Sequence, residues 1–550
     1  MSFDDLQTVG MDGCHNLVSR ARKAVQRLKP LSDTLRELAS AIEAESEAAC
    51  TNFKAVSNMC SLIFLPNELL SRIFHFVVHG SRNDQLANLG CTEAALTLSH
   101  VSQYFRVTAT SCASLWSSVI HSSSLGPLCL SRIKDALFDM SMAVEVMGNP
   151  GEEPNELVFT QSQINYLSRS NQWRSFDIRF VSKFKQYGTL GLSKPKNREA
   201  LRDINVRSLE SLCIRNNADQ SFMFTKYDEF QHWDTPNLRH LTSVHFFPLH
   251  LPGLSTLTNL DVILKVGFGL VDFRKQLSRL KSLESFDLKL KIERDSSLPD
   301  EFPEVLELPS VRFLKIEVTR LLLRHTAPTL KSFFSSISFP SVVDLRIKLG
   351  GIVGRQFHED EDLCLDLSED LGSIFHCGRD TGFPRVEDLW LEANGLNIVS
   401  GVARSVHDFK AQTGYIYLYA PLGSLPTLKH LTLGSNGSLA PSLQYSDTLL
   451  VSEYAPEDLH IVSSLETITV RTSMLAVAGM SDFVAEILRM QKRRGDWEKF
   501  RELVVVDNNY TNDARTCNTT KSKAYAGDAA LHWCERRDSK RNVSDVKFID

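Results

Sequence analysis

Between residues 173 and 508 one short pattern keeps returning. It is an apolar residue, two positions of any kind, a second apolar residue, one position of any kind, and a third apolar residue. Clear instances are Leu209/Leu212/Ile214, Leu257/Leu260/Val262, Leu283/Phe286/Leu288, Val311/Leu314/Ile316, Val342/Leu345/Ile347, Val386/Leu389/Leu391, Leu428/Leu431/Leu433 and Leu465/Ile468/Val470. Trp173/Phe176/Ile178, Leu238/Leu241 and Phe500/Leu503/Val505 are looser members. The second and third apolar residues are two apart, the side-chain period of a strand, so each instance predicts a short strand with one buried face. A unit this small cannot bury its own apolar set. It must stack on its neighbours, and the whole region is predicted to be one extended array.

The pattern resembles leucine-rich repeats. In that family an Asn often sits eight residues after the first Leu, and Asn217, Asn394, Asn436 and Asn508 occupy that offset. Lys265, Lys291, Thr319 and Gly350 stand there in the central instances. Starts are about 20 to 30 residues apart early and about 35 to 44 later, so an irregular horseshoe-shaped solenoid with a parallel sheet is expected. Alternating strands in an ordinary α/β domain are the alternative. Outward strand positions then line one face: Asp287, Lys289, Lys315, Glu317, Asp344, Arg346, Lys348, Asp388, Trp390, Glu392, His430 and Arg471. Among these, Lys315, Asp344, Arg346, Lys348, Asp388, Trp390, His430 and Arg471 are the candidate residues for holding a protein substrate. Trp390 is the expected anchor, because Trp and Arg dominate binding hot spots. A Trp covered by a neighbouring loop is the competing expectation.

The N-terminal part has a different texture. Leu28, Leu31, Leu35, Leu38 and Ile42 recur at spacings of three and four, which predicts a helix within 15–60. Pro30 is expected to split it, with a restart near Leu31. The reading is a short hairpin or coiled coil for a partner, or an arm packed on its own chain. From residue 62, Leu65-Pro66-Asn67-Glu68-Leu69-Leu70-Ser71-Arg72-Ile73-Phe74 opens a second helix, with Pro66 in its first turn. Leu69, Ile73, Phe76 and Val77 are its expected apolar face. Another amphipathic segment follows through Leu96, Leu98, Val101 and Phe105, and then Leu115-Trp116.

These blocks, in this order and spacing, resemble an F-box, most of all the form in mushroom-forming fungi in which a helical arm precedes the box. About 60 of the 550 residues carry the resemblance. A polar insertion after His79 and Phe105 in place of a common Trp depart from the family pattern. The resemblance implies a three-helix module that binds a Skp-type adaptor, and through it a cullin. It implies that Leu65, Pro66, Leu69, Ile73, Phe74, Val101, Phe105, Leu115 and Trp116 form that contact.

The expected organisation is α/β: a helical arm over 1–60, the F-box over 61–121, the repeat region over 122–512 and a polar, partly ordered tail over 513–550. The expected function is substrate recognition in a ubiquitin ligase, without catalysis by this chain. The alternative is a repeat scaffold with a degenerate box. Net charge is −5 in a chain that is 43% hydrophobic and 23% charged, which gives no global electrostatic case for nucleic acid. Eleven scattered cysteines form no C-x-x-C pair and are read as reduced thiols, in the cytoplasm, the nucleus or both. No apolar run is long enough for a membrane span, and no cofactor is expected. His75 and His79 have metal-ligand spacing without the Glu of a zincin, and are read as ordinary helix residues. The acidic run from His358 to Asp370 is read as a solvated loop, or a site for a basic partner.

Overall fold

The computed structural model describes residues 10–59, 65–80, 87–148, 156–184, 201–202, 204–216, 230–265, 270–292, 304–320, 327–352, 364–375, 382–396, 415–435, 438–442, 463–472, 477–507 and 521–535. Asn217, Asn436, Asn508 and the first half of the acidic run lie outside them. The chain divides into two compact units, Met1–Leu115 and Trp116–Asp550.

The first unit is helical. Helix α1 runs from Gly10 to Met59 without a break, so Pro30 does not split it. The Pro30 side chain lies off the leucine stripe, and Thr34 donates back to the Pro30 carbonyl at 2.9 Å. Helix α2 is Asn67–His79, with Pro66 one residue earlier than expected, at the cap position with φ −52° and ψ 146°. Helices α3 (Ala87–Val101) and α4 (Gln103–Ser111) divide what the sequence suggested was one segment. The break is made by Ser102, whose extended backbone lets its hydroxyl accept from the Phe105 N–H at 3.1 Å. The core joins Leu70, Phe74 and Val78 to Cys91, Ala95, Phe105, Ala109 and Leu115. Phe74 meets Phe105 edge to face at 4.9 Å.

The second unit is mixed α/β around a 15-stranded sheet. Its strands follow chain order: β1 (Ser118–Ile120), β2 (Phe138–Gly148), β3 (Trp173–Phe184), β4 (Ser211–Asn216), β5 (His240–Val244), β6 (Asn259–Lys265) and β7 (Ser285–Ile292). Then come β8 (Phe313–Arg320), β9 (Asp344–Ile352), β10 (Asp388–Leu396), β11 (His430–Ser435), β12 (Thr467–Thr472), β13 (Glu502–Asp507) and β14 (Lys521–Ala526). Every neighbouring pair from β1 to β13 is parallel, and β14 is antiparallel to β13. Glu156–Val158 adds an antiparallel strand beside β2. A three-stranded parallel sheet, Cys364–Asp366, Tyr415–Tyr419 and Ser438–Ser442, is built from segments between the main strands.

The repeated pattern explains the core. Its second apolar residues form one register row: Phe176, Leu212, Leu241, Leu260, Phe286, Leu314, Leu345, Leu389, Leu431, Ile468 and Leu503. Each is at most 2% exposed. Fully burying one such side chain is worth about 1.5–3 kcal/mol, so the row is a main source of cohesion along the sheet. The third apolar residues form the next inward row, where β5 supplies Ser243 in place of an aliphatic residue.

The first compact unit ends at Leu115, before the expected boundary at 121, and Ser118–Ile120 is the first strand of the main sheet. Within the expected partly ordered tail, the described residues form β14 and the helix Asp528–Glu535. The Tyr525 and Trp533 rings meet there at 5.7 Å, tilted by 33°. The acidic run is not simply a solvated loop, since its second half holds the strand Cys364–Asp366 and the start of the helix Ser368–Phe375, with Asp370 1% exposed.

Candidate functional site

Two surfaces carry the candidate residues, one on each unit. On the first unit, α2 has two neighbouring apolar stripes. Leu70, Phe74 and Val78 face the core, while Leu69, Ile73, Phe76 and Val77 face outward at 47%, 39%, 76% and 50% exposure. At 100° per residue the two stripes together span more than half the helix circumference. Val101 and Val107 of the same module are also exposed. Leu65 is half-buried and Pro66 exposed, and the Leu65 carbonyl accepts from the Tyr104 hydroxyl at 2.9 Å.

This corrects part of the sequence-derived contact set. Phe74, Phe105, Leu115 and Trp116 are buried, so they build cores and present no surface. Trp116 belongs to the second unit, where the Arg132 guanidinium lies 3.9 Å over its ring. Leu65, Pro66, Leu69, Ile73 and Val101 stay accessible. Phe76, Val77 and Val107 join them. His75 and His79 lie ring to ring at 4.6 Å, and among the described residues no group of three His, Cys, Asp or Glu is placed to hold a metal ion.

On the second unit, the outward strand residues form their own register rows. One runs Asp177, Cys213, Thr242, Asp261, Asp287, Lys315, Arg346, Trp390, Thr432 and Thr469. The next includes Arg179, Arg215, Lys289, Glu317, Lys348, Glu392, Gly434 and Arg471. The charges are paired laterally. Lys289 reaches Asp261 at 3.2 Å and Asp287 at 3.5 Å, Lys315 reaches Asp287 at 2.6 Å, and Lys348 reaches Glu392 at 3.4 Å. Burial alone would lower the Lys289 pKa, but Asp261 and Asp287 outweigh it and raise it. Burial also pushes the Cys213 thiol up to about 11, so this thiol stays protonated on the face.

Trp390 is the centre of a denser group. It is half-buried, with the Arg471 guanidinium 4.8 Å and the Arg346 guanidinium 5.7 Å from its ring centre. Arg346 is held by a two-pronged contact to Asp344, with hydrogen bonds of 3.1 and 2.9 Å. Arg471 starts two strands away. Gly434 on the intervening strand has no side chain to block it, and a Cβ there would meet Glu392 at 3.4 Å. Asp388 pairs in register with His430, whose ring bonds Thr467 at 2.8 Å. Burial raises the Asp388 pKa, as do the neighbouring Asp344 and Glu387, against His430 and Lys429. Asp344, Arg346, Asp388, Trp390, His430 and Arg471 thus form one patch over β9 to β12. Lys348 adjoins it through Glu392, while Lys315 is tied instead to Asp287. The patch therefore presents one aromatic ring flanked by two guanidinium groups, with Arg346 fixed by its ion pair to Asp344.

Asn394 keeps its place inside β10, and its amide donates to Glu392 at 2.7 Å. One charge pattern escaped the sequence reading. The residue after the first apolar position of each instance alternates in sign: Arg174, Glu210, Arg239, then Glu284, Arg312, then Glu387, Lys429, Glu466, Arg501, with Thr258 and Val343 as neutral breaks. These residues line the entry rim of the sheet, where each backbone N–H reaches the carbonyl of its predecessor. Arg174 grips Asp139 at 2.6 Å, Lys429 grips Glu387 at 2.9 Å and Arg501 grips Glu466 at 2.9 Å. The alternation becomes visible only when the instances are written under one another.

No family model matches the chain, and no curated protein matches it.

Proposed function

We propose that the chain is a substrate-recognition subunit of a Skp–cullin–F-box ubiquitin ligase, with an F-box as its first globular module and an irregular leucine-rich-repeat array as its second. The observation that carries this reading is the outward apolar stripe of Leu69, Ile73, Phe76 and Val77. A helix with a complete core face and a second, exposed apolar face has a partner to meet, because such area is rarely left in water. The residue order of the F-box resemblance supplies a Skp-type adaptor as that partner. The array supports the second half of the reading: each motif instance gives one strand, and a returning segment leads to the next.

The chain itself does no chemistry in this mechanism. The box tethers it to the adaptor and cullin, and the patch around Trp390 holds a protein substrate. Tethering raises the effective concentration of substrate lysines near the charged conjugating enzyme. No nucleic acid, membrane or cofactor enters, and the setting is the cytoplasm, the nucleus or both.

The test is coexpression with a Skp-type adaptor. Intact chain copurifies with it, and a Leu69→Ser/Ile73→Ser/Phe76→Ser variant does not, while Trp390→Ala leaves adaptor binding unchanged. Because the three substituted residues lie outside the core, the variant keeps its helical content. Undiminished copurification by the triple variant, or none by the intact chain, overturns the ligase reading. The latter result would leave a repeat scaffold with a degenerate box.

A further inference from the structure

We propose that helix α1 is a self-association element: it pairs with α1 of a second copy of this chain, the two helices running antiparallel. Every described residue from Val18 to Phe53 is exposed, so none of the described residues of the first unit covers this stretch of the helix. Yet Leu28, Leu31, Leu35, Leu38 and Ile42 line one side of it, at 57–61% exposure. Their spacing of three, four, three and four averages 3.5 residues, the period of a two-helix seam and not of a helix lying on a globular core. Ala21, Ala24 and Ala49 continue the same phase, and Pro30 falls outside it.

Charge selects the occupant and its direction. From His15 to Lys29 the helix carries Arg20, Arg22, Lys23, Arg27 and Lys29 with no acid. From Asp33 to Glu47 it carries Asp33, Glu37, Glu43, Glu45 and Glu47 with Arg36 alone opposing them. A parallel pair would set like charge on like charge. An antiparallel pair of identical helices sets each basic half on an acidic half, so the chain is its own complement.

The register follows from the seam. Leu31 faces Leu35 of the other copy and Leu28 faces Leu38, which centres the pair at Asp33, where the acidic block begins. Ile42 then faces Ala24, a large residue against a small one. Glu45, the one acid in the seam, faces Ala21 between Arg20 and Arg22. Sliding by one heptad toward the C-terminus would set Glu45 on Leu28 and lose this match. A hairpin within one chain would use the same complementarity, but α1 continues through Pro30 and carries its two halves away from each other. This inference does not depend on the proposed ligase role. Its consequence is that two copies of the Trp390 patch are carried by one assembly.

Sedimentation equilibrium of the full chain at micromolar concentration tests it. The expected mass is about twice 61.9 kDa. Two charge variants follow: Arg20, Arg22, Lys23 and Arg27 all to Glu, and Glu37, Glu43, Glu45 and Glu47 all to Lys. Each alone sediments as a monomer, and an equal mixture recovers the double mass. That recovery shows the variants are still competent to fold. Direction is read by disulfide formation with Cys14 and Cys50 replaced by Ser. Ala21→Cys links to Glu45→Cys in a mixture, and Ala21→Cys alone does not link to itself. A monomeric intact chain overturns the proposal, as does dimer mass retained by both charge variants. Self-linkage of Ala21→Cys overturns the antiparallel arrangement.

Discussion

Ser243 stands where the repeated pattern asks for an aliphatic side chain, between Ile214 and Val262 in the inward row. It is fully buried, and its hydroxyl has no hydrogen-bond partner among the described residues. A buried hydroxyl without a partner loses its water and gains nothing in return. Ser243→Ala is therefore expected to stabilise the second unit by ~1 kcal/mol. Leu345→Ala, in the fully packed row beside it, is expected to destabilise by about 2–5 kcal/mol, because the site cannot collapse between two flanking strands. Urea denaturation of the two variants checks both signs. A loss of stability in Ser243→Ala would mean that the hydroxyl is satisfied by a partner such as bound water.

At the level of elements, strand positions were legible in the sequence and helix faces were not. The apolar residue two before Ile214 or Leu391 can only be a neighbour on the same side of a strand, so period-two alternation fixes which side chains are buried. Helix α2 offered no such choice, since both of its stripes are apolar and composition cannot say which one its own core takes. The sequence reading took the Leu69 stripe as a single apolar face, and the structure gives the core to the Leu70 stripe. Pro30 misled for a related reason. A lost hydrogen bond and a clash cost about 3 kcal/mol, which predicts a break, but many flanking good helix formers can outweigh one such defect. The entry-rim ladder was invisible because no local rule requires alternation between residues some 30 to 40 positions apart. That ladder can be tested. Lys429→Glu sets an acid between Glu387 and Glu466, where the Lys429 and Glu387 side chains are about two-fifths exposed and that of Glu466 about a quarter. The expected cost, discounted for solvent screening, is about 1 kcal/mol or less, and it should shrink in 1 M salt as screening shortens to about 3 Å. A cost unchanged by salt would place the ladder's role in packing and not in charge.

On the scale of the whole second unit, a sheet that grows strand by strand in chain order has to end somewhere, and an open parallel edge invites another chain. The two ends are handled differently. At the first, β1 is only three residues long, too short to template much pairing. At the second, β13 would present Val504, Val505 and Val506, three consecutive β-branched residues, along an open edge. It is covered by β14, which reverses direction, places Lys521 and Lys523 on the new edge, and is followed by the helix Asp528–Glu535. That helix is fastened to Val477–Arg493 by Arg489–Glu535 and Lys492–Asp528, both at 2.8 Å. Deleting residues 520–550 should therefore uncover β13 without touching the repeated pattern or the Trp390 patch. The expected result is a chain that still folds but self-associates with time at micromolar concentration, read by light scattering, and that melts a few degrees lower. Adding Val504→Lys to the truncated chain should suppress the association by placing a charge on the exposed edge. If the truncated chain stays as dispersed as the intact one, the final strand and helix are not edge protection, and their ion pairs serve only to hold the last helix in place.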